Sequence, residues 1–129
     1  MTIQLNHTIV PAKDKHASAT FLTEIFDLPA PVPAGFFLAV TLDNGVTLDY
    51  AEPPVDFSPM HLAFLVSEEE FDGVYGRIKA WGLDHWADPR RERPGEINTN
   101  DGGRGVYFTD PNGHFLEAIT VPYGGWPKT

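Results

Sequence analysis

Residues 105–120, which read GVYFTDPNGHFLEAIT, decide the fold. The Asp-Pro-Asn-Gly run at 110–113 predicts a tight turn, because proline fixes one φ angle and Asn-Gly tolerates positive φ. Aromatic and β-branched residues before the turn and an alternating run after it predict an antiparallel hairpin. The alternation puts Glu117 on the same face as Phe115 and Ile119. A carboxylate on an apolar face costs several kcal/mol unless it is paired or bound to a metal, so the hairpin predicts a partner for Glu117.

The composition limits the classes of function. A chain of 129 residues that is 42% hydrophobic predicts one compact domain over residues 1–129. A formal charge of −9 argues against nucleic acid and anionic membrane surfaces as partners, since both require a basic surface. The absence of cysteine excludes disulfides, thiolate metal sites and cysteine nucleophiles. No signal-like or membrane-spanning apolar run is present, which predicts a soluble, cytoplasmic protein.

The chain repeats one order of elements, in modules of about residues 1–55 and 58–124. Each module is predicted to start with a strand, continue with a helix and end in a hairpin around an Asn-Gly turn. The predicted elements of the first module are a strand at 3–10, a helix at 14–26 and strands at 36–42 and 46–51. Those of the second are a strand at 60–66, a helix at 68–81 begun by a capping box, a short strand at 83–87 and the hairpin quoted above.

The repeat brings a histidine and a carboxylate to matching positions in each module. His7 and His61 each lie on the strand before the helix. When the glycines of the two Asn-Gly turns are aligned, Asp49 falls opposite Glu117. Two imidazoles with one or two carboxylates suit a divalent metal such as Zn²⁺, Ni²⁺, Fe²⁺ or Mn²⁺. The alternative is two ordinary half-buried histidines and an edge charge, but their occurrence together in repeat register favours His7, His61 and Glu117 as ligands of one metal.

These residues carry a resemblance to a known family. The chain resembles the vicinal oxygen chelate superfamily, which includes glyoxalase I, fosfomycin-resistance thiol transferases, extradiol dioxygenases and bleomycin-binding proteins. The resemblance implies an α+β fold of two βαβββ modules that form a curved mixed sheet around a metal-binding cleft. It places His7, His61 and Glu117 at the ligand positions of the family. The segment YFTDPNGHFLE matches the C-terminal half of the extradiol dioxygenase signature and implies that Tyr107 contacts substrate, the alternative being an aromatic residue packed in the hairpin.

The sequence also departs from each member of that family. The extradiol signature expects an acid–base histidine in the window that here contains Asn98, Thr99 and Asn100. Glyoxalase I has a fourth ligand, a glutamate near Asp49. The shorter Asp49 is predicted to have a structural role or to act as a general base through water. The cationic site and potassium loop of fosfomycin-resistance members have no match in the sequence, and bleomycin-binding members usually lack the metal triad.

Two further groups of residues lie in the second module. An insert at about 88–103 distinguishes the second module, and long polar connections in small domains are usually functional or mobile. Arginines at 90, 91, 93 and 104 flank this insert, and they are interpreted either as a clamp for an anionic substrate or as a solvated charge cluster. His114 is predicted to be solvent-exposed, on the strand face opposite Glu117.

The function favoured by the sequence is a metal-dependent enzyme that acts on a small, oxygen-rich substrate by lyase, isomerase or dioxygenase chemistry, with Asp49 and Tyr107 as catalytic residues. The alternative is a protein of the bleomycin-resistance type that binds a small molecule or antibiotic without turnover. A third possibility is a metal-binding or structural dimer. The resemblance implies a homodimer in which one chain supplies the first-module ligands and the other chain supplies the second-module ligands.

Overall fold

A computed structural model describes residues 3–124 of the chain. The chain divides into two compact units, residues 1–58 and residues 59–129. The first unit consists of β1 (His7–Pro11), α1 (Lys15–Ile25), β2 (Val32–Ala34), β3 (Phe37–Thr41) and β4 (Thr47–Ala51). The second consists of β5 (His61–Leu65), α2 (Glu68–Ala80), β6 (His85–Trp86), a 3₁₀ turn (Asn100–Gly102), β7 (Gly105–Thr109) and β8 (Phe115–Ile119).

Each unit contains a four-stranded mixed sheet of the same topology. The strand orders are β1-β4-β3-β2 and β5-β8-β7-β6. In each unit the first strand lies at one edge of the sheet and pairs in parallel with the last strand. The α+β class and the two βαβββ modules are therefore confirmed. The prediction that both units form one domain around a metal-binding cleft stays a prediction.

The strand β2 was not predicted from the sequence. It has three residues, all exposed, and contains Pro33. A proline cannot donate a hydrogen bond to a neighbouring strand, so in sheets it is confined to edges, and β2 lies at the edge of its sheet. The prolines on either side of Val32 indicate a helix stop more strongly than they indicate a strand.

Both helices begin at side-chain caps. The Asp14 carboxylate accepts hydrogen bonds from the backbone N–H groups of His16 and Ala17, at 3.0 and 3.1 Å. Ser67 and Glu70 form the predicted capping box, in which each side chain accepts from the other residue's backbone N–H. These caps satisfy N–H groups that have no partner within the helix. The buried residues of α1 include Ala19, Leu22 and Ile25, and those of α2 are Phe71, Val74 and Ile78.

The registers of the two parallel strand pairs confirm the internal repeat. In the first unit Ile9 lies opposite Asp49, and in the second Ala63 lies opposite Glu117. In each unit the carboxylate is therefore paired with the residue two positions after the histidine. A one-residue slip would turn the carboxylate to the other face of the sheet, so the shared register fixes its direction.

The prediction that His114 is exposed is wrong. His114 is fully buried, and its Nδ1 atom accepts a hydrogen bond from the backbone N–H of Met60 at 2.8 Å. Leu116 and Ala118, on the same face of the chain, are also buried, and α2 packs against this strand. The face of β8 opposite Glu117 is thus the helix-covered core, and Glu117 on the other face is buried as well.

The long connection between β6 and β7 is closed at its base by Asn98. This residue is 6% exposed, and its amide group donates a hydrogen bond to the carbonyl oxygen of Ala87 at 2.8 Å. Its backbone exchanges two hydrogen bonds with Gly105, at 2.9 and 3.0 Å. A Cβ atom at Gly105 would lie 2.9 Å from the Asn98 amide, so a larger residue does not fit there. Within residues 3–124, neither helix is long and apolar enough to cross a membrane.

Candidate functional site

The site is centred on Glu117, in the middle of β8. Its side chain is 1% exposed, and both carboxylate oxygens have partners. Oε1 lies 2.9 Å from Nε2 of His61, on the neighbouring strand β5. Oε2 accepts a hydrogen bond from the Tyr123 hydroxyl at 2.6 Å. The partner that the hairpin pattern required for Glu117 is therefore present.

Two tyrosines extend this network. Tyr107 lies directly opposite Glu117 in the pairing of β7 with β8, and its hydroxyl is 3.1 Å from that of Tyr123. Burial, followed by hydrogen bonds with Tyr123 and Glu117, raises the pKa of Tyr107 far above its usual value. Burial and the Glu117 carboxylate also raise the pKa of Tyr123. Both phenols are therefore neutral at physiological pH and can donate hydrogen bonds.

Tyr123 is a site residue that sequence reasoning missed. It follows β8 outside every predicted strand, and no motif contains it. The available signal was a tyrosine six residues after a buried glutamate, and this spacing alone does not indicate that the chain turns back toward Glu117.

A pocket adjoins the pair formed by His61 and Glu117. Its volume is about 130 Å³, and His61 lies in its wall. The remaining lining residues are four aromatic residues together with an acid, a proline and an arginine: Trp86, Tyr107, Phe108, Phe115, Asp88, Pro89 and Arg91. A mostly aromatic pocket with a few polar groups is typical of a site for a small organic molecule.

The four arginines that flank the insert have different surroundings. Arg91 lies in the pocket wall, with its guanidinium 4.8 Å from the centre of the Trp86 ring and 5.1 Å from that of Phe115. Arg93 forms an ion pair with Glu96.

Arg104 contacts helix α2 and does not line the pocket. It pairs with Glu68 at 2.8 Å and with Asp72 at 2.9 Å, and it lies over the Phe71 ring. The interpretation of a four-arginine clamp is thus too broad, because Arg91 alone among them lines the described pocket.

The first-unit residues have other surroundings. His7 is exposed on β1, and its Nδ1 atom lies 2.7 Å from the side-chain oxygen of Asn6. Asp49 is half-buried on β4, and its carboxylate makes no hydrogen bond or ion pair with any residue between 3 and 124. The residues that the structure brings together are therefore His61, Glu117 and Tyr107, all from the second unit.

The pair formed by His61 and Glu117 fits part of a metal centre. Imidazole nitrogen and carboxylate oxygen are the donors that borderline divalent metals accept. Two donors each about 2.1 Å from one ion and at right angles stand roughly 3.0 Å apart, close to the separation of these two atoms. The His61 side chain is 47% exposed, so an ion can reach it. Residues 3–124 contain no group of three histidine or acidic side chains positioned to hold a metal.

Comparison with known proteins places the chain in a family. Residues 4–118 match the sequence profile of the Glyoxalase/Bleomycin resistance protein/Dioxygenase superfamily. The chain belongs to this superfamily. The resemblance to the vicinal oxygen chelate superfamily is therefore confirmed for nearly the whole chain.

Three relatives illustrate the range of activities within the family. The structure of the oxidase ChaP-H1 is 58% identical, with a TM-score of 0.94 over 96% of this chain and 100% of that one. The glutathione transferase FosA of Serratia marcescens is 32% identical over 91% of this chain and 80% of its own length. The metallothiol transferase FosB of Lysinibacillus sphaericus is 28% identical over 93% of this chain and 84% of its own length.

Proposed function

We propose that this protein is a metal-dependent oxidase that acts on a small aromatic molecule bearing oxygen substituents. The observation that carries the proposal is the pair formed by His61 and Glu117 beside a pocket lined by aromatic rings. The 58% identity to the oxidase ChaP-H1 over nearly the full length of both chains supports oxidase chemistry over the lyase and isomerase chemistry of other members.

The chain's own residues supply binding and orientation. Glu117 is held by His61 and Tyr123, so its carboxylate is fixed before a metal arrives. The aromatic walls of the pocket exclude water and stack against a planar ring. Because the Tyr123 hydroxyl donates to Glu117, the Tyr107 hydroxyl donates to Tyr123, and its oxygen in the pocket wall accepts a hydrogen bond from a substrate hydroxyl. When bound, a redox-active divalent metal would hold vicinal substrate oxygens and exchange electrons with dioxygen.

The third ligand in this proposal is His7 from a second copy of the chain. His7 is exposed on β1, and Leu5 and Ile9, which alternate with it along the chain, are 67% and 52% exposed. An apolar strand face that carries an exposed imidazole suits contact with another subunit. The site would then be complete only in a homodimer, as the resemblance implies. Asp49 is proposed as a general base or a structural residue outside the ligand set.

Metal content and oxygen consumption test the proposed function. Protein purified without added metal should contain about one Fe²⁺, or another divalent ion, per chain by elemental analysis. The metal-loaded protein should consume oxygen in an electrode when catechol, the simplest ring with two vicinal oxygens, is added. His61→Ala should lose both properties, whereas His16→Ala, an exposed helical histidine, should keep both. A wild-type protein that binds no divalent metal at millimolar concentration would rule out the proposal.

A second candidate function is binding without turnover. The pocket itself favours it, because four aromatic rings and one cation can hold a planar ligand without any metal. Ligand binding that is unchanged by EDTA, together with no oxygen uptake for any ligand that binds, would favour this candidate.

A further inference from the structure

We propose that Arg91, Trp86 and Phe115 form a subsite for the acidic group of an aromatic acid. This inference rests on the proposed function, since it names the class of substrate that the pocket admits. The guanidinium of Arg91 lies over both rings, 4.8 Å from one centroid and 5.1 Å from the other. Such contacts hold a cation in place while leaving its N–H donors directed away from the rings.

The charge of Arg91 is not neutralised by a carboxylate. Within residues 3–124 it makes no ion pair, whereas Arg93 pairs with Glu96. Asp88 also lines the pocket, but its oxygens accept hydrogen bonds from the backbone N–H groups of Glu92 and Arg93. In a chain with 18 acidic and 9 basic residues, an unpaired cation in a pocket wall is selective for anionic ligands.

The loop holds Arg91 in a conformation that is costly for a residue with a side chain. Its φ angle is +60°, in the left-handed region where non-glycine residues cost about 1 kcal/mol or more. The backbone N–H of Arg91 donates to the carbonyl oxygen of Asp88 at 3.3 Å. Burial opposes ionisation of Asp88, but backbone donors at 90, 92 and 93 hold its pKa below the usual value. The charged Asp88 therefore closes a turn that fixes Arg91 before a ligand binds.

The spacing of the subsite suits one aromatic ring. Phe115 precedes Glu117 by two residues on the same face of β8, which corresponds to roughly 6–7 Å along a strand. A single ring with an oxygen near Glu117 could thus present an acidic group near Arg91. The pocket volume of about 130 Å³ is close to that of cavities, roughly 150 Å³, that admit benzene. The predicted ligand is an ionised aromatic acid with one ring inside the pocket.

Binding of 4-fluorobenzoate and of its neutral isostere 4-fluorobenzamide tests this subsite. Titrations followed by ¹⁹F NMR should show that the wild-type protein prefers the benzoate. Arg91→Gln should weaken benzoate binding roughly tenfold or more and leave the amide unchanged, because only the anion uses the guanidinium charge. The benzoate affinity of Arg91→Lys should fall between those of the wild type and Arg91→Gln, since lysine keeps the charge without the planar fork. Arg90→Gln, the neighbouring exposed arginine outside the pocket lining, is the matched control and should behave as wild type.

Several results would overturn the subsite. They are equal weakening of both probes by Arg91→Gln, no weakening of either, an equal effect of Arg90→Gln, or no binding of benzoate to the wild-type protein. Retained binding of the amide shows that the pocket of the variant is still folded. Each titration is repeated in EDTA, where the subsite should persist. A protein that binds benzoate through Arg91 but holds no metal would contradict the proposed oxidase and leave the subsite intact.

Discussion

The two units share a register but differ in what surrounds the carboxylate. Asp49 lies opposite Ile9, half-buried and without a hydrogen-bonding partner in the described chain. Glu117 lies opposite Ala63, fully buried, with Tyr123 and an imidazole on its two oxygens. The repeat therefore determines where a carboxylate is placed. The role of that carboxylate depends on residues outside the repeat, and Tyr123 is the clearest example of such a residue.

The largest expected difference between the units is in metal affinity. Glu117→Gln should weaken binding of Zn²⁺ or Fe²⁺ roughly 100-fold or more, because it removes an anionic ligand whose position is already fixed. Asp49→Asn should bind metal as the wild type does. Isothermal titration calorimetry on both variants makes the comparison. Equal losses would show that Asp49 is a fourth ligand and that the two carboxylates are equivalent.

Mixing of histidine variants tests whether the units cooperate across chains. His7→Ala and His61→Ala should each bind little metal alone. If each site combines His7 from one chain with His61 and Glu117 from the other, mixed dimers contain one intact site. Random pairing then restores roughly a quarter of wild-type metal binding. Elemental analysis of the refolded mixture measures this recovery. No recovery, with both variants folded and dimeric, would place all ligands of a site on one chain.

A third prediction concerns stability. The position of His114 after the Asn-Gly turn corresponds to Val46 in the first unit. His114→Val should lower the free energy of unfolding by about 2 kcal/mol, because the half-buried backbone N–H of Met60 loses its acceptor. Val46→Ala, at the half-buried equivalent, should cost less than about 1 kcal/mol. Urea denaturation measures both values. Similar costs would mean that the hydrogen bond to Met60 contributes little.

The network around Glu117 should have a smaller effect on metal affinity than the ligand itself. Tyr123→Phe removes the 2.6 Å hydrogen bond to the carboxylate and should weaken metal binding roughly tenfold. Tyr75→Phe on α2 is the control, since the Tyr75 ring contacts Phe71 and His85 away from Glu117. Isothermal titration calorimetry with Zn²⁺ compares the metal affinities of the two variants. An unchanged affinity in Tyr123→Phe would show that His61 alone orients the carboxylate.

The smallest effect is expected at the helix caps. The backbone N–H of Ser67, followed by its hydroxyl, holds the pKa of Glu70 below the usual glutamate value. A lowered pKa stabilises the folded state at pH values above the usual glutamate pKa. This stabilisation is lost as the pH falls through the lowered pKa. Glu70→Gln should therefore show less destabilisation than the wild type between neutral pH and about pH 3 in thermal melts. The same dependence of melting temperature on pH in both proteins would contradict this role of Glu70.

Hydrophobic pattern and turn chemistry were sufficient to predict most of the fold. The hairpins, the capping box and the repeat were all visible, because each depends on neighbours in sequence. The strand β2 was missed because it is short, exposed and contains proline. The face of His114 was assigned wrongly because alternation separates two faces but does not reveal that both are covered.

The site was predictable where it coincides with the repeat and, for Tyr107, where it coincides with the family signature. His61 and Glu117 occupy repeated positions, and the structure brings them together. Tyr123 and Arg91 lie on segments outside the strands, where position depends on how a loop returns and not on any periodic pattern. Asp88, which fixes the turn that carries Arg91, looks in the sequence like any surface acid.

The closed base of the β6–β7 connection has a consequence for how this protein can change. Because Asn98 and Gly105 seal the connection where it leaves the sheet, the backbone hydrogen bonds of residues 88–97 run within that segment and to the edge strand β6. Substitutions, insertions or an exchange of that segment for another would leave the pairing of β7 with β8 in place. Evolution or laboratory selection can therefore alter ligand preference through the loop while the strands that carry Glu117 keep their register.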